Sequence, residues 1–574
     1  MFQQPPEPIA GSLTLSALVA ALPLITIFVL LGWARLKAHW AGLAALAVAI
    51  TVAVLGYGMP AKLAVLSASQ GAIFGLFPIM AIVLAALWVY QLTVVTGRFE
   101  DLRAAFHLIS DDPRIQAIVI AFCFGGLLEA LAGFGAPVAI TGVMLIAMGF
   151  SAHRAAAVVL LANTAPVAFG AIGTPILTAG TLTGIAPHLI GSYVGRQTPV
   201  LACFVPLLLL LLVDGVRGIR EIWPAAVVTG VAFAISQFVS SNFISVELTD
   251  IIASLVGLLA LVVFLQVWRP AATTTTAARE RLAKRAQKDQ GEYELSDPHG
   301  STVTGAATST TTISPAVAAP SAAPIAASRV FMALLPYLVI IAVFMVAKLC
   351  APVSNWLLST DMKVHWPGLD GQVLSRAGKP LTSTIYTFAW LSSPGTMLLC
   401  AGLLVIALYR VSPAVAVQEF ARMVHKLRFA FLTVASVLAL AYVMNQSGQT
   451  ITIGNWIAGA GAAFAFLSPI LGWLGTAVTG SDTSANALFA NLQQATAAKA
   501  GIDPALLVAA NTSGGVVGKM ISPQNLTIAA TAVGLLGRES DLFRLAIKWS
   551  VALLIVMCLL VGLQSTPILS WMLP

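Results

Sequence analysis

The sequence predicts an all-α polytopic membrane protein, with about 12 transmembrane helices and two re-entrant hairpins arranged as an inverted-topology repeat. Three observations carry that expectation. Of the 574 residues, 59% are hydrophobic and 9% are charged, which leaves too few polar groups to clothe a water-soluble core of this size. The apolar residues gather in runs close to the roughly 20 needed to cross a bilayer. Finally, Ala162-Asn163-Thr164 with Gly170 and Pro175 recurs as Ala510-Asn511-Thr512 with Gly518 and Pro523. Such a repeat in a membrane protein marks two half-sites around one buried cavity.

Uninterrupted apolar runs lie near 11–32, 41–58, 70–95, 198–213, 222–240, 249–268, 331–350, 385–409, 429–447 and 547–570. Four further stretches, 115–150, 155–180, 455–499 and 505–537, are broken by Gly, Pro and polar residues. Basic loops belong on the cytoplasmic side. Those around Arg35 and Lys37, Arg98 to Arg114, Arg217 and Arg220, Arg410 to Arg428 and Arg538 to Lys548 share one side on a single condition: 115–150 and 455–499 must be hairpins that return to the face they entered. The broken stretches 155–180 and 505–537 then cross in opposite directions. Reading each hairpin as a full span breaks the charge pattern after each one.

This divides the chain into an N-terminal membrane half, 1–268, a linker, 269–329, and a C-terminal membrane half, 330–574. The linker is rich in Thr, Ala, Ser and Pro and holds too little apolar surface to fold alone, so it is expected to be disordered and cytoplasmic. Trp356, Trp366 and Pro367 place 351–383 in an external loop at the interface. The net charge of +8 does not signal nucleic acid, because the cations sit in short runs between spans as orientation signals do. The five cysteines have no paired spacing and read as packing residues; no metal or cofactor is expected. With no Lys or Arg ahead of the first apolar run, a cleaved signal peptide is not expected.

Backbone that leaves helical form at membrane depth is tolerated where it is buried in protein or lines a wet cavity. The breaks therefore point to a site. They are Gly133-Phe134-Gly135-Ala136-Pro137 in the first hairpin and Gly480 to Asn486 in the second. In the crossing stretches they are Asn163 to Pro166 with Gly173-Thr174-Pro175, and Asn511 to Gly515 with Ser522-Pro523-Gln524-Asn525. A single break is more often a packing kink, but four in matched pairs are not. Each frees amide donors and carbonyls, and half-helix N-termini suit a carboxylate.

Glu129, Asp482 and Lys519 fall inside apolar zones, where each costs roughly 2.5–3.5 kcal/mol on insertion scales. Glu129 and Asp482 are the candidates for carrying a coupling proton, and Lys519 for holding an anionic substrate. The bland alternatives are that Glu129 hydrogen-bonds the hairpin tip, that Asp482 caps the following helix, and that Lys519 merely neutralises Asp482. The candidate substrate-binding set is Gly133, Phe134, Gly135, Asn163, Thr164, Thr174, Ser481, Thr483, Ser484, Asn486, Asn511, Thr512, Ser513, Lys519 and Gln524. Other motifs carry little. Gly514 to Met520 imitates a phosphate loop, but Ser513 stands where the first Gly belongs and Met520 where Ser or Thr would reach magnesium. The scattered histidines and the absence of Gly-x-Ser-x-Gly argue against an enzyme.

At Gly133 to Pro137, Gly480 to Asn486 and Asn511 to Gly515 the sequence closely resembles the bacterial L-lactate permease family, and the likeness extends over nearly the whole chain outside the linker. The resemblance implies uptake of L-lactate, and often D-lactate and glycolate, by proton symport across the inner membrane. It also implies a scaffold and a moving transport subdomain that contains both hairpins. A sodium-coupled carrier of another small carboxylate is the alternative. The sequence leaves the oligomeric state open, a homodimer among the options.

Overall fold

In a bilayer each backbone N–H and C=O must find its partner within the segment, and the apolar runs accordingly fold as helices. The computed structural model describes residues 1–30, 34, 36–101, 109–131, 133, 135–295, 327–376, 378–535 and 538–574. Among these, nine helices are long and apolar enough to cross a membrane, and eleven if each of two bent pairs counts as one span. Two of the nine, Pro113–Leu131 and Gln449–Thr479, contain the entering arms of the two expected hairpins, while Leu13–Phe28 and Pro394–Tyr409 are apolar but shorter.

One expected span starts late. Residues 385–388 pair as an antiparallel strand with Met362–His365, and the helix begins at Pro394, capped by the Ser393 hydroxyl. Proline at the first helical position and a serine cap before it override the apolar run upstream. A second short pair joins Phe2–Gln3 to Val373–Leu374, so the N-terminus is stitched to the 351–393 segment.

Both hairpins turn on left-handed glycines. Pro113–Leu131 passes Gly133 (φ 53°) and Gly135 (φ 80°) into Ala136–Ala147. Phe464–Thr479 turns at Gly480 (φ 76°) into Asp482–Ala500. Phe134 lies outside the described residues. The first crossing element, Ala152–Ala162 followed by Val167–Thr183, bends by 61°. Within it Ala171, Ile172 and Gly173 all have positive φ (44°, 59° and 70°).

The second crossing element lacks one of its two expected breaks and keeps the other, the chain being extended at Ser522 before Pro523. Pro504–Gly518 runs unbroken through Asn511 to Gly515, and the interruption falls at Lys519–Ile521 before Pro523–Val533. The glycines that suggested a break serve close packing instead. A Cβ on Gly514 would lie 2.0 Å from the Pro469 carbonyl oxygen, and one on Gly518 2.3 Å from that of Trp473, both on the entering arm of the second hairpin. Small residues let the two helix backbones touch. The hairpins and crossing elements are interleaved: Asp482–Ala500 packs on Gly170–Thr183, and Ala136–Ala147 packs on Pro523–Val533.

The segment read as a disordered linker opens as a helix, Ala272–Leu295, and 296–326 lie outside the described residues. Its Ala-, Arg- and Glu-rich stretch favours helix, which the Thr and Pro content of the whole segment obscured. The helix is docked by charge. Arg281 reaches Asp214 at 2.6 Å and Glu221 at 3.4 Å, beside the wholly buried Arg114, which meets Asp112 at 2.8 Å, Asp214 at 3.2 Å and Glu221. Arg281→Ala should therefore lower stability by about 1 kcal/mol, a partly exposed pair being worth no more. Thermal unfolding of the purified protein checks this, and an unchanged melting curve would mean that the helix is not held there by charge.

Candidate functional site

Both hairpins and both crossing elements converge on one small cavity of about 30 Å³. The first hairpin contributes Glu129 and Gly133, and the first crossing element Gly170, Ala171 and Thr174. The second hairpin contributes Gly480 through Thr483, and the second crossing element Lys519. Of the residues expected at a site, the structure thus gathers Glu129, Gly133, Thr174, Ser481, Asp482, Thr483 and Lys519 around one space.

Lys519 forms an ion pair with Glu129, both side chains being almost wholly buried. The partner of the lysine is therefore Glu129 and not Asp482, the pairing weighed from the sequence. Glu129 fits because Gly170 lacks a Cβ, which would stand 2.9 Å from Oε1. Its Oε2 has no hydrogen-bond partner among the described residues. The helix break supplies the geometry of the lysine: the Asn525 amide and the Ser522 hydroxyl take its carbonyl oxygen at 2.9 Å and 3.0 Å, holding the Lys519–Ile521 turn.

Asp482 is not the cap of its helix. Ser481 takes that place, accepting from the Ser484 N–H at 3.3 Å, which leaves the Asp482 carboxylate for other contacts. Its Oδ1 accepts from the Thr476 hydroxyl at 3.3 Å, and Oδ2 has no partner among the described residues. Thr174 and Thr483 share a hydroxyl contact at 3.1 Å, joining the two repeats across the cavity. Among the described residues no three His, Cys, Asp or Glu side chains gather as metal ligands.

Other expected site residues are placed elsewhere. Asn486, Asn511 and Thr512 satisfy one another at 2.9–3.1 Å, and Gln493 adds a contact to Asn511 at 3.3 Å. Ser513 donates to Gln197 at 2.6 Å, which in turn donates to Gln564 at 3.0 Å. Thr164 donates back to the Leu161 carbonyl at 2.6 Å, and Asn163 is buried at the first break. Gly135 abuts Ile528, and Gln524 covers Gly480. One acid escaped the sequence reading. Asp250 is fully buried and accepts the Gln237 amide at 2.8 Å. Its place at the start of the 249–268 run reads from sequence as an ordinary helix-end carboxylate.

Comparison with known proteins supplies the family. The L-lactate permease family matches residues 16–567. The L-lactate permease of Bacillus subtilis (strain 168) is 43% identical over 584 positions, covering 99% of this chain and 99% of that protein. The glycolate permease GlcA of Escherichia coli (strain K12) is 41% identical over 97% of this chain and 96% of its own length. The L-lactate permease of the same strain is 40% identical over 100% of both. A solved transporter of Alcanivorax borkumensis aligns over 83% of this chain with 15% identity and a TM-score of 0.29, too low to equate the folds. A polytopic helical chain matched end to end by permeases is a transporter rather than an enzyme, and this chain belongs to the L-lactate permease family.

Proposed function

We propose that the protein carries L-lactate, together with D-lactate and glycolate, into the cell by proton symport across the bacterial inner membrane. The observation that carries this reading is a cavity lined by one lysine paired with a buried Glu129 and by a second buried carboxylate, Asp482. The resting site is closed on itself through the Lys519 and Glu129 pair. An incoming monocarboxylate takes the place of Glu129 on the lysine, making a charge-assisted hydrogen bond of the kind worth about 1.5–3 kcal/mol. The displaced Glu129, or Asp482 across the cavity, then needs a proton, because an unpaired charge at this depth costs several kcal/mol. Substrate and proton arrive together as a neutral pair. That spares the roughly 2.3 kcal/mol per 100 mV of moving a lone anion against an inside-negative potential. The contact between the Thr174 and Thr483 hydroxyls supports this reading, as two groups able to exchange hydrogen bonds with the 2-hydroxyl that these substrates share.

Proteoliposomes test the reading directly. An inward proton gradient imposed in sodium-free buffer should drive accumulation of labelled L-lactate above its equilibrium level, and unlabelled glycolate should compete. Accumulation that requires sodium and ignores the pH step would favour a sodium-coupled carrier.

A further inference from the structure

The two crossing elements bring unlike side chains to matched positions of the cavity. The repeat that aligns Asn163 with Asn511 and Pro175 with Pro523 also aligns Ala171 with Lys519 and Val167 with Gly515. At the first of these pairs one element presents a methyl and the other an ammonium, and both line the same space. At the second, Val167 lines the cavity, whereas Gly515 leaves room for a charge: a Cβ there would stand 1.9 Å from Asp482 Oδ1. The first crossing element thus supplies an apolar wall of Val167, Ala171 and Pro175, all buried. Every other described residue of the lining is polar, titratable or glycine.

The wall stands beside the place a substrate carboxylate would take. Gly170, next to Ala171, is pressed on Glu129, since a Cβ on it would lie 2.9 Å from the Oε1 that pairs with Lys519. A Cβ on Gly133 would lie 3.8 Å from the same oxygen and 3.3 Å from the Ala171 methyl. A carboxylate that replaces Glu129 on the lysine therefore enters next to the Ala171 methyl, and the carbon attached to it finds apolar surface on one side of the cavity only. Apolar groups gain by leaving water for apolar neighbours, so that side is where a substrate methyl is stabilised. The wall is also fixed in depth. Ala171 has φ 44°, with Ile172 and Gly173 following in the left-handed region, and a branched or bulky side chain is strained there. The Pro175 ring is rigid. Val167 is the wall residue whose length sets the room left over.

We propose that Val167, Ala171 and Pro175 receive the group carried on C2 of the substrate, a hydrogen in glycolate and a methyl in lactate, and that Val167 sets the longest 2-hydroxy acid carried. This rests on reading the site as one for short 2-hydroxy monocarboxylates and assigns that reading its size limit. Lys519 holds what the class has in common, and the opposite wall measures what distinguishes one member from the next. One methylene more or less against a fitted apolar wall changes rates by roughly tenfold or more.

The experiment compares wild type, Val167→Ala and Val167→Ile in proteoliposomes. Each of glycolate, L-lactate and L-2-hydroxybutyrate is loaded unlabelled, and the initial rate of exchange against the same labelled acid is read. Exchange needs no gradient, so the result is independent of the coupling ion. Val167→Ala should raise the ratio of 2-hydroxybutyrate to lactate about tenfold, and Val167→Ile should lower the ratio of lactate to glycolate about tenfold. Ala171→Gly is a second arm should Val167→Ala fail to fold, because glycine adopts a positive φ at no steric cost, and it too should raise the 2-hydroxybutyrate ratio. Wild-type ratios in the folded variants, or one uniform loss for all three acids, overturn the proposal and leave lactate transport standing. A wild-type protein that exchanges none of the three overturns the functional reading itself.

Discussion

Lys519→Met is expected to lose lactate accumulation and thermal stability together. The substitution keeps much of the side-chain length but leaves Glu129 buried without its cation, and removing one member of a buried pair costs roughly 3–5 kcal/mol. It also removes the one buried cation among the described residues that line the cavity. The double variant Lys519→Met with Glu129→Gln separates the two effects, since it leaves no orphaned charge. Most of the melting temperature should return while lactate binding stays lost. If the double variant binds lactate with normal affinity, the lysine is purely structural and the substrate carboxylate is held elsewhere.

Gly515→Ala is expected to silence the carrier without touching a charged residue. A Cβ at that position would lie 1.9 Å from Asp482 Oδ1 and 2.6 Å from the Thr476 hydroxyl, so the carboxylate must leave its place. Overpacking of this kind costs about 1–3 kcal/mol, enough to spare the fold but not the geometry of the second hairpin tip. Gly459→Ala, where a Cβ meets nothing within 4 Å, is the matched control and should transport normally. Adding Asp482→Ala to Gly515→Ala should restore the melting temperature and leave accumulation at background. Wild-type uptake by Gly515→Ala alone would show that Asp482 need not stay where it is.

Much of the fold was legible because bilayer physics writes it in composition: apolar runs give helices, and breaks within them give the hairpins and crossing elements. The three ionisable residues of the cavity were legible for the same reason, each being costly where it stands. What sequence does not show is which way a helix is rotated. Asn511 and Ser513 lie on the same uninterrupted helix that leads to Lys519, yet they turn towards Asn486 and Gln197 and satisfy buried amides. The triple-glycine signal near 514 was read as a break when it marks two backbones in contact. Asp250 was missed because a carboxylate in the first turn of a helix is ordinary at a membrane surface. Its carboxylate is held by Gln237, distant in sequence, whose amide also reaches the Ala165 carbonyl.

The set formed by Asn486, Asn511, Thr512 and Gln493, which Gln493 extends to Ser468 on the entering arm, has a mechanical consequence. These buried groups use one another as partners, so shearing the second hairpin's exit arm against Pro504–Gly518 would strand several of them at once. That half of the site is stiff. Across the cavity, the polar contacts between repeats are the Glu129 and Lys519 ion pair and the Thr174 and Thr483 hydroxyls, groups that a substrate carrying a carboxylate and a hydroxyl can replace. Substrate that takes these groups would loosen the polar seam between the repeats while leaving the hydrogen-bonded set of the second hairpin intact.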